Sequence, residues 1–392
     1  MKKILKLLGI IIVLLGAFHT ITGWTLEETI ADLTGEEIRE ITAYDRLIEC
    51  IENRESEVTL RSGEWDESLG EWEEALAITQ DIVHENPEWY WIDFTNSQYW
   101  YLGDEDNPRR AIKLEVAYHE ELDNEETQAQ IDAAADAILS TIPTDVSDWE
   151  KARLIHDALI KHITYEENEY DQNIYGALVL GKCVCTGYTM AYEYLLDRVG
   201  IPCDTVTGYT SEFDANLAKE ESGVFASSVE GHAWNVVTFT TDSGVEQSYY
   251  VDVTWDDTDL KDANGNDYYS YNWFCVSQSE MDAVGHVLDG DFYSLRGWNM
   301  SYEDLNYYVY KDALLTEYNA DAIVEIFRRQ MNEGNNVLSV RWANKDVYLA
   351  SKIKLEGGDL SYIVGQLGLG QTSYSFNSNI LEGGNFCLNI YL

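Results

Sequence analysis

The chain has 392 residues, too many for one small core, and its 45% hydrophobic and 24% charged residues are the proportions of a globular protein rather than a disordered or polytopic membrane one. Aspartate and glutamate number 71 against 25 lysines and arginines, a formal charge of −46, which excludes nucleic acid as a partner and opposes adsorption to anionic lipid. The six cysteines are too sparse for a disulfide scaffold.

The chain opens with Lys2, Lys3 and Lys6 ahead of an apolar run from Leu7 to Phe18, the basic and hydrophobic regions of a secretory signal. The run is short for a membrane span. Residues 19–24 offer no clean small-x-small cleavage site, so 1–23 reads as a signal peptide or an uncleaved N-terminal anchor. The expected location is extracytoplasmic, with membrane contact only through that anchor. An acidic, broadly helical stretch follows to about residue 54. Two aromatic-rich segments, 88–94 and 97–102, are separated by Thr95-Asn96 and predict a β-hairpin within an N-terminal region, 24–142. Alternating aromatics of this kind line sheet cores more often than sugar sites.

A helix is expected over 124–142. Ser147, with Glu150 three residues on, signals the cap of the next one, and Ala152, Ile155, Leu159 and Ile163 then recur at helical spacing. His156 and His162 lie on or beside that helix and read as packing or surface residues. Downstream, Met190, Ala191, Tyr194, Leu195 and Val199 keep helical spacing until Gly200 and Pro202 close the helix. That places Cys185 at a helix N-terminus. Strands are expected at 205–210, 233–241 and 248–255, the last two forming a hairpin that turns at Asp242-Ser243-Gly244. A central domain, 143–290, is followed by a small C-terminal α/β domain, 291–392. Its helices are expected at 320–331 and 347–355 and its strands at 337–342, near Ser373 and near Phe386, without a catalytic constellation.

A thiol is a nucleophile only as thiolate, and the partial positive charge of a helix N-terminus favours that form. Gly181 and Gly187 flank Cys185 and would let backbone approach a substrate closely. A lone cysteine before a helix is nevertheless more often an inert core residue. His232 lies ten residues before Asp242 and Asp252 ten after it, so a turn near Asp242 brings them opposite one another, to within a residue of register. An aspartate inside the apolar strand Tyr249-Tyr250-Val251-Asp252-Val253-Thr254-Trp255 needs a partner, and His232 is the natural one. A His–Asp pair facing a Cys is the arrangement of a nucleophilic triad; a purely structural Asp–His pair is the other reading.

Three segments, Gly181-Lys182-Cys183-Val184-Cys185-Thr186-Gly187-Tyr188, Gly231-His232-Ala233-Trp234-Asn235 and Val251-Asp252-Val253-Thr254-Trp255-Asp256-Asp257, resemble in order and spacing the three motifs of the transglutaminase-like superfamily. The resemblance covers about 147–286. Asn86-Pro87-Glu88-Trp89 also looks like the lead-in of secreted bacterial members. It implies an α+β fold with a papain-like core, in which a Cys-bearing helix packs on an antiparallel sheet, flanked by the N-terminal and C-terminal regions. It implies catalytic residues Cys185, His232 and Asp252, with Cys183 as an extra thiol. The implied activity is a secreted cysteine-dependent acyl transfer, as peptidase, deamidase or transglutaminase, on protein or peptide amides, with amine-bearing partners among its substrates. The alternative is a non-catalytic surface or adhesion module on the same fold. The location implied is outside a bacterial cell, secreted or on its surface.

No cofactor or metal is expected. The acidic run from Asp256 to Asp267 suggests calcium, but Gly265 arrives too early for an EF-hand loop. Cys183, Cys185, Cys203 and His232 lack the usual spacing of a structural zinc set.

Overall fold

A computed structural model describes residues 41–103, 108–210, 230–261, 267–283, 286–370, 373–378 and 386–392. The expected signal or anchor at 1–23 lies outside them. Among the described residues no helix is long and apolar enough to cross a membrane.

The protein is α+β. Helix α1 (Ala43–Glu52), strand β1 (Glu57–Arg61), helix α2 (Ala75–His84), strands β2 (Ile92–Leu102) and β3 (Ala111–Tyr118) open the described chain, followed by helices α3 (Glu125–Leu139) and α4 (Asp148–His162). Short strands β4 (Thr164–Tyr165) and β5 (Lys182–Cys183) precede helix α5 (Cys185–Arg198). Then come β6 (Cys203–Thr210), β7 (Glu230–Thr240), β8 (Glu246–Val251), a one-turn helix α6 (Val253–Asp256), β9 (Asp257–Lys261), β10 (Asp267–Tyr269), β11 (Phe274–Val276) and β12 (Val287–Leu288). Beyond them lie β13 (Leu314–Leu315), α7 (Ala320–Asn332), β14 (Val337–Trp342), α8 (Lys345–Lys354), α9 (Leu360–Gln366), β15 (Ser373–Ser378) and β16 (Phe386–Tyr391).

The central sheet runs β11-β8-β7-β6-β12 with antiparallel neighbours, and α5 packs across β6 and β7. Both faces of the sheet are covered. Val237, Phe239, Tyr249 and Val251 join the core built by α3, α4 and α5, while Val206, Trp234, Val236 and Tyr250 join a second core with Leu47, Ile78 and Ile82 of α1 and α2. This is why the second half of β8 buries consecutive residues instead of alternating. Ser147 caps α4, its side chain accepting from the Glu150 N–H at 3.2 Å, as its position in the sequence suggests. The C-terminal sheet, β13-β14-β16-β15, shares the first of these cores through Leu338, Val340, Leu388 and Ile390.

Two local expectations are corrected. The aromatic segments at 88–102 are not a hairpin. Residues 92–102 of them form the single strand β2, whose pairing with β3 skips between Asp93 and Gln98. Asp93 accepts from the backbone N–H of Asn96 and from its Nδ2, and Ser97 Oγ donates to the Asp93 carbonyl. That local turn pinches out a bulge rather than reversing the chain. The second correction is that β8 ends at Val251; Asp252 is the N-cap of α6, accepting from the Trp255 N–H at 3.0 Å.

His156 is neither a surface residue nor simple packing. It is fully buried, with Nδ1 3.1 Å from Asp157 Oδ1 and Nε2 3.2 Å from Asp256 Oδ2. Arg153 donates to Asp157 Oδ2 at 2.7 Å and to Glu150 Oε1 at 2.6 Å. Asp256 Oδ1 accepts from Ser270 Oγ at 2.5 Å and from the Asn272 N–H at 2.8 Å. Burial opposes charge on His156, but its two carboxylate partners override that and raise it to about 9. A group raised in this way stabilises the fold fully below its unfolded value of 6.5, and the contribution fades as pH rises through about 9. His156→Ala should therefore cost about 3–5 kcal/mol at pH 6, since it leaves the buried Asp256 carboxylate without a positive partner among the described residues, while Asp157 keeps Arg153. Urea unfolding from pH 6 to 10 checks this: wild-type stability should fall across that range and the gap to the variant should narrow.

Candidate active site

Cys185 is the first residue of α5. Its N-cap, Val184, has no side-chain acceptor for the first-turn N–H groups, so the positive end of the helix remains directed at the thiol. Gly187 is required by its own chain rather than by a substrate: a Cβ there would fall 2.5 Å from Cys183 Cβ and 2.6 Å from the Asp171 carbonyl oxygen. That tight turn buries Cys183 fully, and burial pushes its thiol well above the ordinary range. Cys185 stays partly exposed.

His232 lies on β7 opposite Gly208 of β6. A Cβ at Gly208 would meet the Val287 carbonyl oxygen at 2.2 Å and the Trp234 ring at 2.6 Å, so glycine lets β12 and Trp234 close beside the histidine. The β7–β8 ladder pairs Asn235 with Val251, and its continuation sets Asp252 across from Trp234. The turn arithmetic is thus two residues out. Contact with His232 is made because the chain leaves the strand at Asp252, and His232 Nε2 lies 2.7 Å from Asp252 Oδ2.

Asp252 is fully buried. Burial alone would raise its carboxyl, but the His232 charge and hydrogen bonds from His232 and His286 hold it below the usual carboxylate range. His232 is raised to about 10, against the effect of burial, by the charge and hydrogen bond of Asp252 and by hydrogen bonding to Cys185. Burial opposes the Cys185 thiolate, yet the His232 hydrogen bond and charge, with the Ala233 N–H, hold the thiol below its ordinary value. With Nε2 committed to Asp252, Nδ1 is the nitrogen left for sulfur. The three groups together favour the thiolate–imidazolium form of the Cys185–His232 pair.

The sequence model of the transglutaminase-like superfamily matches residues 132–255, the stretch that contains all three groups. Residues 132–255 are a transglutaminase-like core. Over 153 residues the chain is 27% identical to the kyphoscoliosis peptidases of Mus musculus and Homo sapiens. The match covers 37% of this chain and 22% of each relative, so the chain spans about a fifth of the length of the curated relatives it matches. A crystal structure described as a TGase aligns over 37% of this chain and 41% of that one, at 13% identity and a TM-score of 0.26.

One residue of this transglutaminase-like site has no signal in the sequence. His286 is fully buried, and its Nε2 lies 3.2 Å from the same Asp252 Oδ2 that meets His232. Rings of Trp255, Trp273 and Trp234 enclose it at centroid distances of 4.5, 4.9 and 5.1 Å. Burial lowers its basicity, outweighing the pull of Asp252, so it is the neutral tautomer that donates from Nε2, and among the described residues its buried Nδ1 has no hydrogen-bond partner. His286 therefore fixes the carboxylate without adding charge.

Two outcomes follow from this geometry. Iodoacetamide should alkylate Cys185 at pH values below the ordinary thiol range while leaving Cys183 intact, and His232→Ala should move the profile up to about pH 8.5 or above, where burial is no longer opposed; peptide mapping across pH reads this. His286→Asn should slow Cys185 alkylation at pH 7 roughly ten-fold, from the loss of one hydrogen bond to a charged group, while circular dichroism remains native.

Proposed function

We propose that the chain is a secreted cysteine-dependent acyl-transfer enzyme acting on protein or peptide amides, with Cys185 as nucleophile, His232 as acid and base and Asp252 as the group that orients His232. The observation carrying this reading is a lowered thiol at a helix N-terminus hydrogen-bonded to a histidine that is itself 2.7 Å from a buried carboxylate. A structural Asp–His pair would not need a partly exposed thiol on its other side.

In the proposed reaction the Cys185 thiolate attacks the amide carbonyl carbon, forming a C–S bond and a tetrahedral oxyanion. The backbone N–H of Cys185 is one donor for that oxygen. Collapse breaks the C–N bond, and the His232 imidazolium gives its proton to the departing nitrogen, leaving a thioester and neutral imidazole. Water or a primary amine then attacks the thioester, His232 takes its proton, and the C–S bond breaks to regenerate the thiolate. A glutamine side chain as donor gives deamidation or cross-linking, and a main-chain amide gives peptide cleavage. Export, expected from the basic start and apolar run, belongs to this reading as well, and sequencing the mature N-terminus tests it.

The deciding experiment incubates the protein with glutamine-containing peptides, with and without a primary amine, and reads hydrolysis, deamidation or amine incorporation by mass spectrometry. Cys185→Ala should lower turnover on the order of 10⁴-fold or more, whereas Cys183→Ala should retain it. Product formation unchanged in Cys185→Ala would sink the assignment.

A further inference from the structure

A second cluster of chemistry-bearing side chains lies away from the triad, at the end of β3. His119 is 6% exposed, and among the described residues its ring makes no hydrogen bond. Its Nδ1 is aimed at Glu121 Oε1 from 3.6 Å, beyond hydrogen-bond length. Glu169 comes from the loop between β4 and β5, and one ligand atom each from His119, Glu121 and Glu169 lie within 4.8 Å of one another. Tyr170 supports the arrangement: its hydroxyl donates to Glu121 Oε1 at 3.0 Å and its ring packs on His119 at 4.9 Å. Among the described residues neither carboxylate is paired with a lysine or arginine. Two carboxylates are thus gathered around a buried imidazole with no cation of the protein's own to offset them.

We propose that His119, Glu121 and Glu169 bind a divalent transition-metal ion of the zinc type. One imidazole and two carboxylates are ligands such an ion accepts, with solvent completing its coordination. Two ligands of one tetrahedral ion lie about 3.3 Å apart, so the exposed glutamates need only rotate inward by an ångström or so. The imidazole separates this site from a calcium site, which is built from oxygen. The ion would join the end of β3 to the loop that carries Asn168 and Asp171. That loop already holds the approach to α5: the Val184 N–H donates to the Asp171 carbonyl at 3.0 Å, and Asn168 Nδ2 donates to the Lys182 carbonyl at 3.1 Å. Occupancy would therefore tighten the segment leading into Cys185.

Isothermal titration of the full chain with Zn2+ tests the proposal, with a thermal scan in parallel because an ion bound only by the folded state raises the midpoint. One equivalent should bind, persist in Cys185→Ala, and weaken at least about ten-fold in both His119→Ala and Glu169→Gln. Glu169 is exposed, so Glu169→Gln keeps the test valid should His119→Ala fail to fold. Absence of saturable binding would overturn the proposal. So would binding that vanishes in Cys185→Ala, or binding that survives Glu169→Gln unchanged.

Discussion

A carboxylate with no exposed surface must have its charge met by the protein, and among the described residues Asp252 has three donors for it. Oδ1 accepts from the Trp255 N–H, and Oδ2 accepts from His232 and His286. Each donor comes from a different part of the chain: the helical turn that Asp252 itself caps, the neighbouring strand, and the segment that enters β12. Satisfying one anion therefore fixes three elements at once, and an unsatisfied one would cost several kcal/mol. The basicity of His232, and through it the state of the Cys185 thiol, follows from where that carboxylate is held.

The turn after Asp252 needs its own anchor, because a helix of one turn has little stability of its own. Asp256 supplies it, four residues on, through the pair made with His156. The two aspartates divide the work. One meets His232 and the other ties the same turn to α4, whose Arg153–Asp157 pair neutralises the far side. A buried network of this kind adds little net stability compared with apolar packing, but it tolerates only one register.

Much of this was legible in the sequence. Helix α5 has an apolar face and a glycine stop, the β7–β8 turn carries Asp-Ser-Gly, and Cys185, His232 and Asp252 sit in three separated segments that resemble one superfamily. The errors share a cause. Val251-Asp252-Val253-Thr254-Trp255 has the composition and alternation of a strand, yet the Asp252 side chain competes for the Trp255 N–H and turns the ladder into a helical cap. Asp93 does the same to Asn96 and converts an apparent hairpin into a bulge. Short polar side chains that bond to nearby backbone leave no periodic trace. His286 was illegible for a different reason: a buried histidine 34 residues from its aspartate gives no local pattern, and only the closing of β12 against β6 brings it home.

The C-terminal region reaches Asp256 through Asn272. The Asn272 N–H donates to Asp256, and its side-chain Oδ1 accepts from Tyr308 at 2.8 Å and from the Cys387 thiol at 2.9 Å. Tyr308 in turn lies 3.0 Å from Ser339 Oγ on β14, and Tyr271, one residue before Asn272, stacks on Tyr307 at 3.9 Å. The loop from Ser270 to Trp273 therefore has the Asp256 carboxylate on one side and the β14–β16 strands on the other. A loop clamped in this way loses little further entropy when the turn at Asp252 is held in place. β14 and β16 thus buttress the turn that holds Asp252, acting through a wall of tyrosines and one asparagine, and that explains why the apolar core of the Cys-bearing helix runs on without a break into the last strands of the chain.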